Sequence, residues 1–247
     1  MFVDVHCHLT EVSDLGQLIQ RALGKKVELM LSNSVDLPSM QANLSMQKDF
    51  PEVKALLGLH PGDLLELTDE RIQEAIDFIE LNLDKASGVG ETGLDFAFAK
   101  TKERQEKQLK AFKDQIELAL DFDKPVCVHS RNARQETVNA LKEAGARKVL
   151  MHWFTASEKL VKEVIDSGWF ISFGPSILGS EHFNSIVKRV PLSNLLLETD
   201  APVHFNGKPS EPSWIPLIAK KVSELKGISL KEVEETTTQG AFNLFNL

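Results

Sequence analysis

Phe2-Val3-Asp4-Val5-His6-Cys7-His8 opens the chain as a short apolar run that ends in two histidines. In an open doubly wound sheet, a glycine-rich phosphate loop follows the first strand, and Asp4-Val5-His6-Cys7-His8 is no such loop. Seven further apolar runs follow, at 27–35, 53–60, 86–91, 125–130, 148–154, 169–174 and 195–200. Each is short and almost continuously apolar, as parallel strands covered on both faces are. Helix-period segments lie between them. Ile72, Ala75, Ile76, Ile79 and Leu83 keep the three-and-four spacing of an amphipathic helix, as do Leu109, Phe112, Ile116 and Leu120, and Leu160, Val161, Val164 and Ile165. Eight strand–helix units predict a single-domain (β/α)8 TIM barrel over residues 1–247.

The composition suits such a domain. Of 247 residues, 42% are hydrophobic and 26% charged, which excludes a disordered or collagenous chain. No stretch approaches the roughly 20 apolar residues of a membrane span. The basic-then-apolar layout of a signal peptide is missing at Met1–His6, so a cytoplasmic protein is expected. Cys7 and Cys127 stand far apart, with no CxxC spacing, and form no disulfide framework. With 28 basic against 36 acidic residues, the formal net charge of −8 disfavours coating of duplex nucleic acid by a broad basic surface. A nucleic acid substrate would have to be held locally, and bound cations are one way to do so. Residues 201–214, with Pro202, Gly207, Pro209 and Pro212, read as a mobile wall of the site.

Potential metal ligands stand at the ends of five strand candidates: His6 and His8, Glu91, His129, His152 and Asp200. Active sites of barrels of this kind lie at the C-terminal ends of the strands, so these positions are expected to converge. The two-residue period of a strand places His6 and His8 on one face and turns Cys7 away. Six donors without a thiolate exceed the needs of one four-coordinate structural zinc, which points to two divalent ions. A carboxylate can bridge two cations, and Glu91, on the fourth of eight strands and opposite His6 and His8, is the natural bridge. Imidazoles with carboxylates suit zinc, manganese, cobalt or nickel, while phosphate chemistry often runs on magnesium.

Six motifs, in order, resemble those of the TatD-like metal-dependent deoxyribonucleases. They are His6-Cys7-His8, Gly58-Leu59-His60-Pro61, Gly90-Glu91-Thr92-Gly93-Leu94-Asp95, Val128-His129-Ser130-Arg131, His152-Trp153-Phe154-Thr155 and Leu197-Glu198-Thr199-Asp200-Ala201-Pro202. The resemblance runs from residue 4 to Phe245. It implies a barrel hydrolase of phosphodiester bonds that acts on DNA 3′ ends. It also implies His6, His8, Glu91 and Asp200 around one metal, and Glu91, His129 and His152 around the other. The chain departs from the family pattern at Phe96, where Tyr is common, at Asn132, where Asp is common, and at Ala156, where Gly is frequent. The usual Arg-Gly-Lys run reads Asn206-Gly207-Lys208, which removes a bidentate phosphate donor while Glu211-Pro212 is kept.

Other groups are expected around this set. His60 and Arg131 read as substrate contacts at the mouth. Glu198, two before Asp200, and Asp4, two before His6, read as partners that orient a ligand from below. Cys127 is expected to pack as a small apolar group, and His182 and His204 to lie at the surface. The expected reaction is hydrolysis by water activated at the cations, with Asp200 as general base and Glu91 as the other catalytic carboxylate. The alternatives are amidohydrolase chemistry, acyl hydrolysis such as deacylation of misloaded aminoacyl-tRNA, and a non-catalytic metal-binding barrel. Glu91 stands where many amidohydrolases carry a carbamylated Lys, and the intact donor set speaks against a mere binder. No membrane or obligate protein partner is expected.

Overall fold

Eight parallel strands hydrogen-bond in chain order in the computed structural model of residues 1–247. They are β1 (Phe2–Cys7), β2 (Val27–Asn33), β3 (Val53–Leu57), β4 (Gly88–Asp95), β5 (Val126–Arg131), β6 (Val149–Met151), β7 (Phe170–Phe173) and β8 (Leu195–Leu197). Helices α1 (Leu15–Leu23), α2 (Leu37–Asp49), α3 (Asp69–Asn82), α4 (Lys102–Asp121), α5 (Arg134–Glu143), α6 (Glu158–Asp166) and α7 (Glu181–Arg189) return between successive strands, and α8 (Ile215–Lys226) and α9 (Leu230–Phe245) follow β8. Asp14, Asp36, Thr68, Thr101, Ser157, Ser180 and Ser229 each accept a backbone N–H at the first turn of the helix they precede. The expected TIM barrel is the observed fold. No helix is long and apolar enough to cross a membrane.

Two apolar layers hold it together. Fifty-five buried residues fill the space between barrel and helices. A smaller cluster fills the barrel itself: Val3 and Val5 of β1, Leu31, Leu56, Cys127, Leu150 and Leu196, closed from below by Ala241, Leu244 and Phe245 of α9. The C-terminal helix is therefore the plug of the barrel floor. The N-terminus is tied to it, since the Met1 ammonium lies 2.6 Å from Glu234 and Thr238 donates to the Met1 carbonyl.

The seam between β1 and β8 carries no strand ladder. At its centre, the Asp4 carboxylate accepts the Thr199 backbone N–H at 3.0 Å and also the Thr199 hydroxyl. Above it, Asp200 N–H donates to the His6 carbonyl at 2.9 Å and His8 N–H to the Ala201 carbonyl at 2.6 Å. Asp4 was expected beneath His6 as an orienting partner; it bonds the His6 backbone N–H instead and staples the seam. A register shift between Asp4 and Cys7 explains the difference. Below the shift Val3 and Val5 face inward, and above it His6 and His8 do. One extra residue thus reverses the alternation within the strand.

A second shift, between Val89 and Thr92 on β4, lies beside Glu91. The strand does not end at Glu91 as expected but runs on to Asp95. The expected strands 148–154 and 195–200 are shorter, ending at Met151 and Leu197, because their last residues leave the ladder to carry site side chains. Gly93, just above Glu91, has φ 138°, and a Cβ there would stand 2.0 Å from the His129 carbonyl oxygen. Gly93→Ala is therefore expected to cost about 3 kcal/mol in urea unfolding. A loss below about 1 kcal/mol would show that β4 and β5 can separate without penalty.

Candidate metal centre

At the C-terminal end of the barrel, the Nε2 atoms of His6 and His8 lie together, with a carboxylate oxygen of Glu91 and one of Asp200 beside them. His6 Nε2 and His8 Nε2 are 3.2 Å apart. Glu91 Oε2 lies 3.5 Å from the first and 3.2 Å from the second, and Asp200 Oδ1 lies 3.4 Å from both. Donors about 2.0–2.1 Å from a tetrahedral cation stand about 3.3 Å from one another, and each carboxylate oxygen keeps that spacing to the imidazole pair. The other oxygen of Glu91 faces a second group. Oε1 lies 2.9 Å from His129 Nδ1, 3.8 Å from His152 Nε2 and 4.0 Å from His60 Nε2. The residues present offer donors to a divalent cation on both oxygens of Glu91.

Each imidazole is fixed by a partner on its outer nitrogen. His6 Nδ1 lies 3.1 Å from Cys127 Sγ, His8 Nδ1 lies 3.2 Å from the Asn33 carbonyl, and His152 Nδ1 lies 2.8 Å from Glu198 Oε2. His129 is reversed, with Nε2 2.9 Å from Asp95 Oδ2 and Nδ1 inward. An N–H donated outward leaves the inward nitrogen with a lone pair for a cation. Glu198 is itself held, accepting the Trp153 N–H at 3.1 Å and the Ser172 hydroxyl. His152 also stacks on His6, with ring centroids 3.5 Å apart.

The electrostatics are those of carboxylates and imidazoles in a dry pocket. Burial opposes ionisation of Glu91, yet His6, His60 and His129 around it hold its carboxyl well below the usual range. Asp200 is likewise buried, and His152, His6 and His8 hold it far below the ordinary carboxylate value. Burial opposes charging of His8 and His129 too, but Asp200 and Glu91 push the first to about 9, and Asp95 and Glu91 the second to about 9. Such a field stabilises positive charge at its centre, whether protons or cations.

The structure brings His6, His8, Glu91, His129, His152 and Asp200 together. His60 stands within the same cluster, its Nδ1 2.9 Å from Asp63. Arg131 does not join it: the side chain is exposed, with its guanidinium 5.8 Å above the Phe98 ring. Glu198 lies behind His152 as expected. Cys127 does more than pack, because its buried thiol contacts His6. Asp95 stood in the sequence as part of a motif without a role, and its contact with His129 depends on β4 continuing past Glu91. His182 and His204 are exposed. Within residues 201–214, His204–Phe205 and Lys208–Pro209 pair as a hairpin across Asn206-Gly207, both at positive φ. Asn132 also has positive φ, at 56°, a conformation that asparagine tolerates well.

The family model described as TatD related DNase matches residues 3–246. The deoxyribonuclease TATDN3 of Homo sapiens is 35% identical over 98% of this chain and 94% of its own length. The uncharacterized metal-dependent hydrolase YabD of Bacillus subtilis is 32% identical over the full length of both chains. The crystal structure of YjjV, a TatD homolog from Escherichia coli K12, superposes with a TM-score of 0.89 at 27% identity, covering 100% of this chain and 98% of that one.

Protons and cations compete for the inward nitrogens, which sets a sign for the pH dependence. With His8 and His129 at about 9 before any cation binds, zinc or manganese must displace protons at neutral pH. Affinity is therefore expected to rise with pH up to about 9, by about one decade per pH unit for each proton displaced. Calorimetry in buffers of different ionisation enthalpy should detect that release. A pH-independent affinity between pH 6 and 9 would remove these imidazoles from the donor set.

Proposed function

The chain belongs to the TatD related DNase family, and we propose that it is a two-metal hydrolase of DNA phosphodiester bonds that works inward from 3′ ends. The observation that carries this reading is the His6–His8 pair with Glu91 and Asp200 each 3.2–3.5 Å from its nitrogens, beside a second group on the other oxygen of Glu91. Divalent ions held there would acidify a water and neutralise charge on the phosphoryl oxygens.

The chain's own residues supply the rest. Glu91 turns one oxygen toward each half of the site, and its charge would partly offset cations held there. Asp200 turns Oδ1 toward His6 and His8 and Oδ2 toward His152, 3.9 Å away. The imidazoles around it favour its ionised form, the form in which a carboxylate can accept the proton of the attacking water. The backbone at Asp200 is left-handed, φ 52°, and is held there by its N–H bond to the His6 carbonyl. This fixes the base against β1. His60 would contact the phosphate of a bound strand end, and exposed Arg131 would bind the strand farther out. Glu198 keeps His152 in one orientation.

Asp200→Asn tests the assignment. At saturating metal the variant is expected to hold a single-stranded DNA 3′ end while turnover falls by about 10²–10⁴-fold. EDTA should abolish activity of the parent, and a divalent ion should restore it. If Asp200→Asn cleaves at the parental rate, Asp200 is not the base. If the parent hydrolyses only acyl substrates in a panel of DNA, RNA and aminoacyl esters, the phosphodiester reading fails. Glu91→Gln should weaken both metals together, whereas His152→Ala should empty one. Equal metal content in Glu91→Gln and parent, measured by elemental analysis, would remove the bridge.

A further inference from the structure

A sizeable cavity lies away from the metal centre. It opens at the opposite, N-terminal end of the barrel, between the starts of β3, β4, β5 and β6 and the end of α9, with a volume of about 680 Å³. A second hollow of about 400 Å³ shares Asp123, Lys124 and Lys148 with it and adds Arg147. Both lie within the size range of small-molecule sites.

The lining of the larger cavity is strongly basic. Lys48, Lys54, Lys85, Lys124 and Lys148 face it, and Asp123 is the one acidic group among its lining residues. That concentration stands out in a chain of formal net charge −8. Asp123 is already used, its carboxylate 2.7 Å from Lys148 Nζ. The ammonium groups of Lys85 and Lys124 are held by uncharged acceptors, Asn82 Oδ1 at 2.9 Å and the Ala86 carbonyl at 2.6 Å. These contacts fix the two side chains without neutralising them, and an ammonium has further N–H donors to offer. Half-buried Phe122 adds an apolar surface to the same wall.

We infer that this basal cavity is a second ligand site, distinct from the metal centre, for a small phosphorylated molecule carrying two or more negative charges. Several cations in one concavity give an anion a far larger gain than any one of them on an open surface, because their potentials add within a Debye length of about 8–10 Å. Pre-positioned lysines lower the ordering cost of binding. The bounded volume and the apolar wall favour a compact phosphate ester over a long nucleic acid backbone. Nothing in the proposed DNA hydrolysis uses these residues, so the two readings stand or fall separately.

The test uses the full-length, metal-loaded protein with adenosine 5′-monophosphate as probe and uncharged adenosine as control. In amide NMR, the nucleotide should shift Ser87, Lys124 and Lys148, adenosine should leave them unmoved, and added salt should weaken the effect. Lys54→Gln/Lys85→Gln keeps a flexible polar side chain at each position and removes two charges. It should weaken the basal response at least about fivefold while DNA cleavage stays at the parental rate. Lys48→Gln offers the same comparison on an exposed helix end, should the double variant fold poorly. Nucleotide-induced shifts confined to residues around His60, His129 and His152 would overturn the proposal. So would basal shifts that appear only with a DNA duplex and not with the mononucleotide.

Discussion

One buried carboxylate organises the catalytic end of this barrel. Glu91 is 3% exposed and is approached by His6, His8, His60, His129 and His152. A carboxylate in such a place is tolerable only with positive charge on both of its oxygens. The local backbone is shaped around that need. Gly58 passes so close that a Cβ would stand 2.5 Å from the Gly90 carbonyl carbon and 2.7 Å from the Glu91 oxygen, which lets β3 and β4 press together under the site. The irregular step in β4 then turns Glu91 inward directly after inward-facing Gly90, where regular alternation would have turned it out.

The same solution appears on β1, and the two shifts together reconcile two demands on one strand. The floor of the barrel needs apolar side chains such as Val3 and Val5, and the mouth needs ligands such as His6 and His8. In a strictly alternating strand these two pairs would occupy opposite faces. The extra residue lets both point inward, and it frees Asp4 to close the seam to Thr199. Packing and function are also joined at Cys127, which belongs to the apolar filling of the barrel and touches His6. A change in the barrel interior would therefore be felt by the donor set.

The two ends of the barrel carry opposite charge. Carboxylates gather at the C-terminal mouth and hold positive charge among the imidazoles, while lysines gather at the N-terminal floor around the α9 plug. The acidic donor set and the lysine-lined floor thus occupy opposite ends of one barrel in a chain of formal net charge −8.

The sequence by itself determined the repeat and the chemistry. Apolar runs separated by amphipathic segments are local signals, and eight of them leave little choice of fold. The donors were legible because each stands at or near the end of such a run, where the barrel gathers side chains. Glu198 was legible from its two-residue relation to Asp200. What depended on strand register was decided only by the tertiary structure. The shift in β1 reassigns Asp4 from His6 to the seam, and the continuation of β4 delivers Asp95 to His129; each depends on a neighbouring strand's hydrogen bonds and not on local composition. Cys127 and the Asn33 carbonyl met His6 and His8 only once strands far apart in the chain were side by side. The lysine-lined floor was equally hidden, because its five lysines come from four separate segments and a sequence counts charges without placing them. Periodicity is a property of neighbours along the chain, whereas register and convergence are properties of neighbours in space.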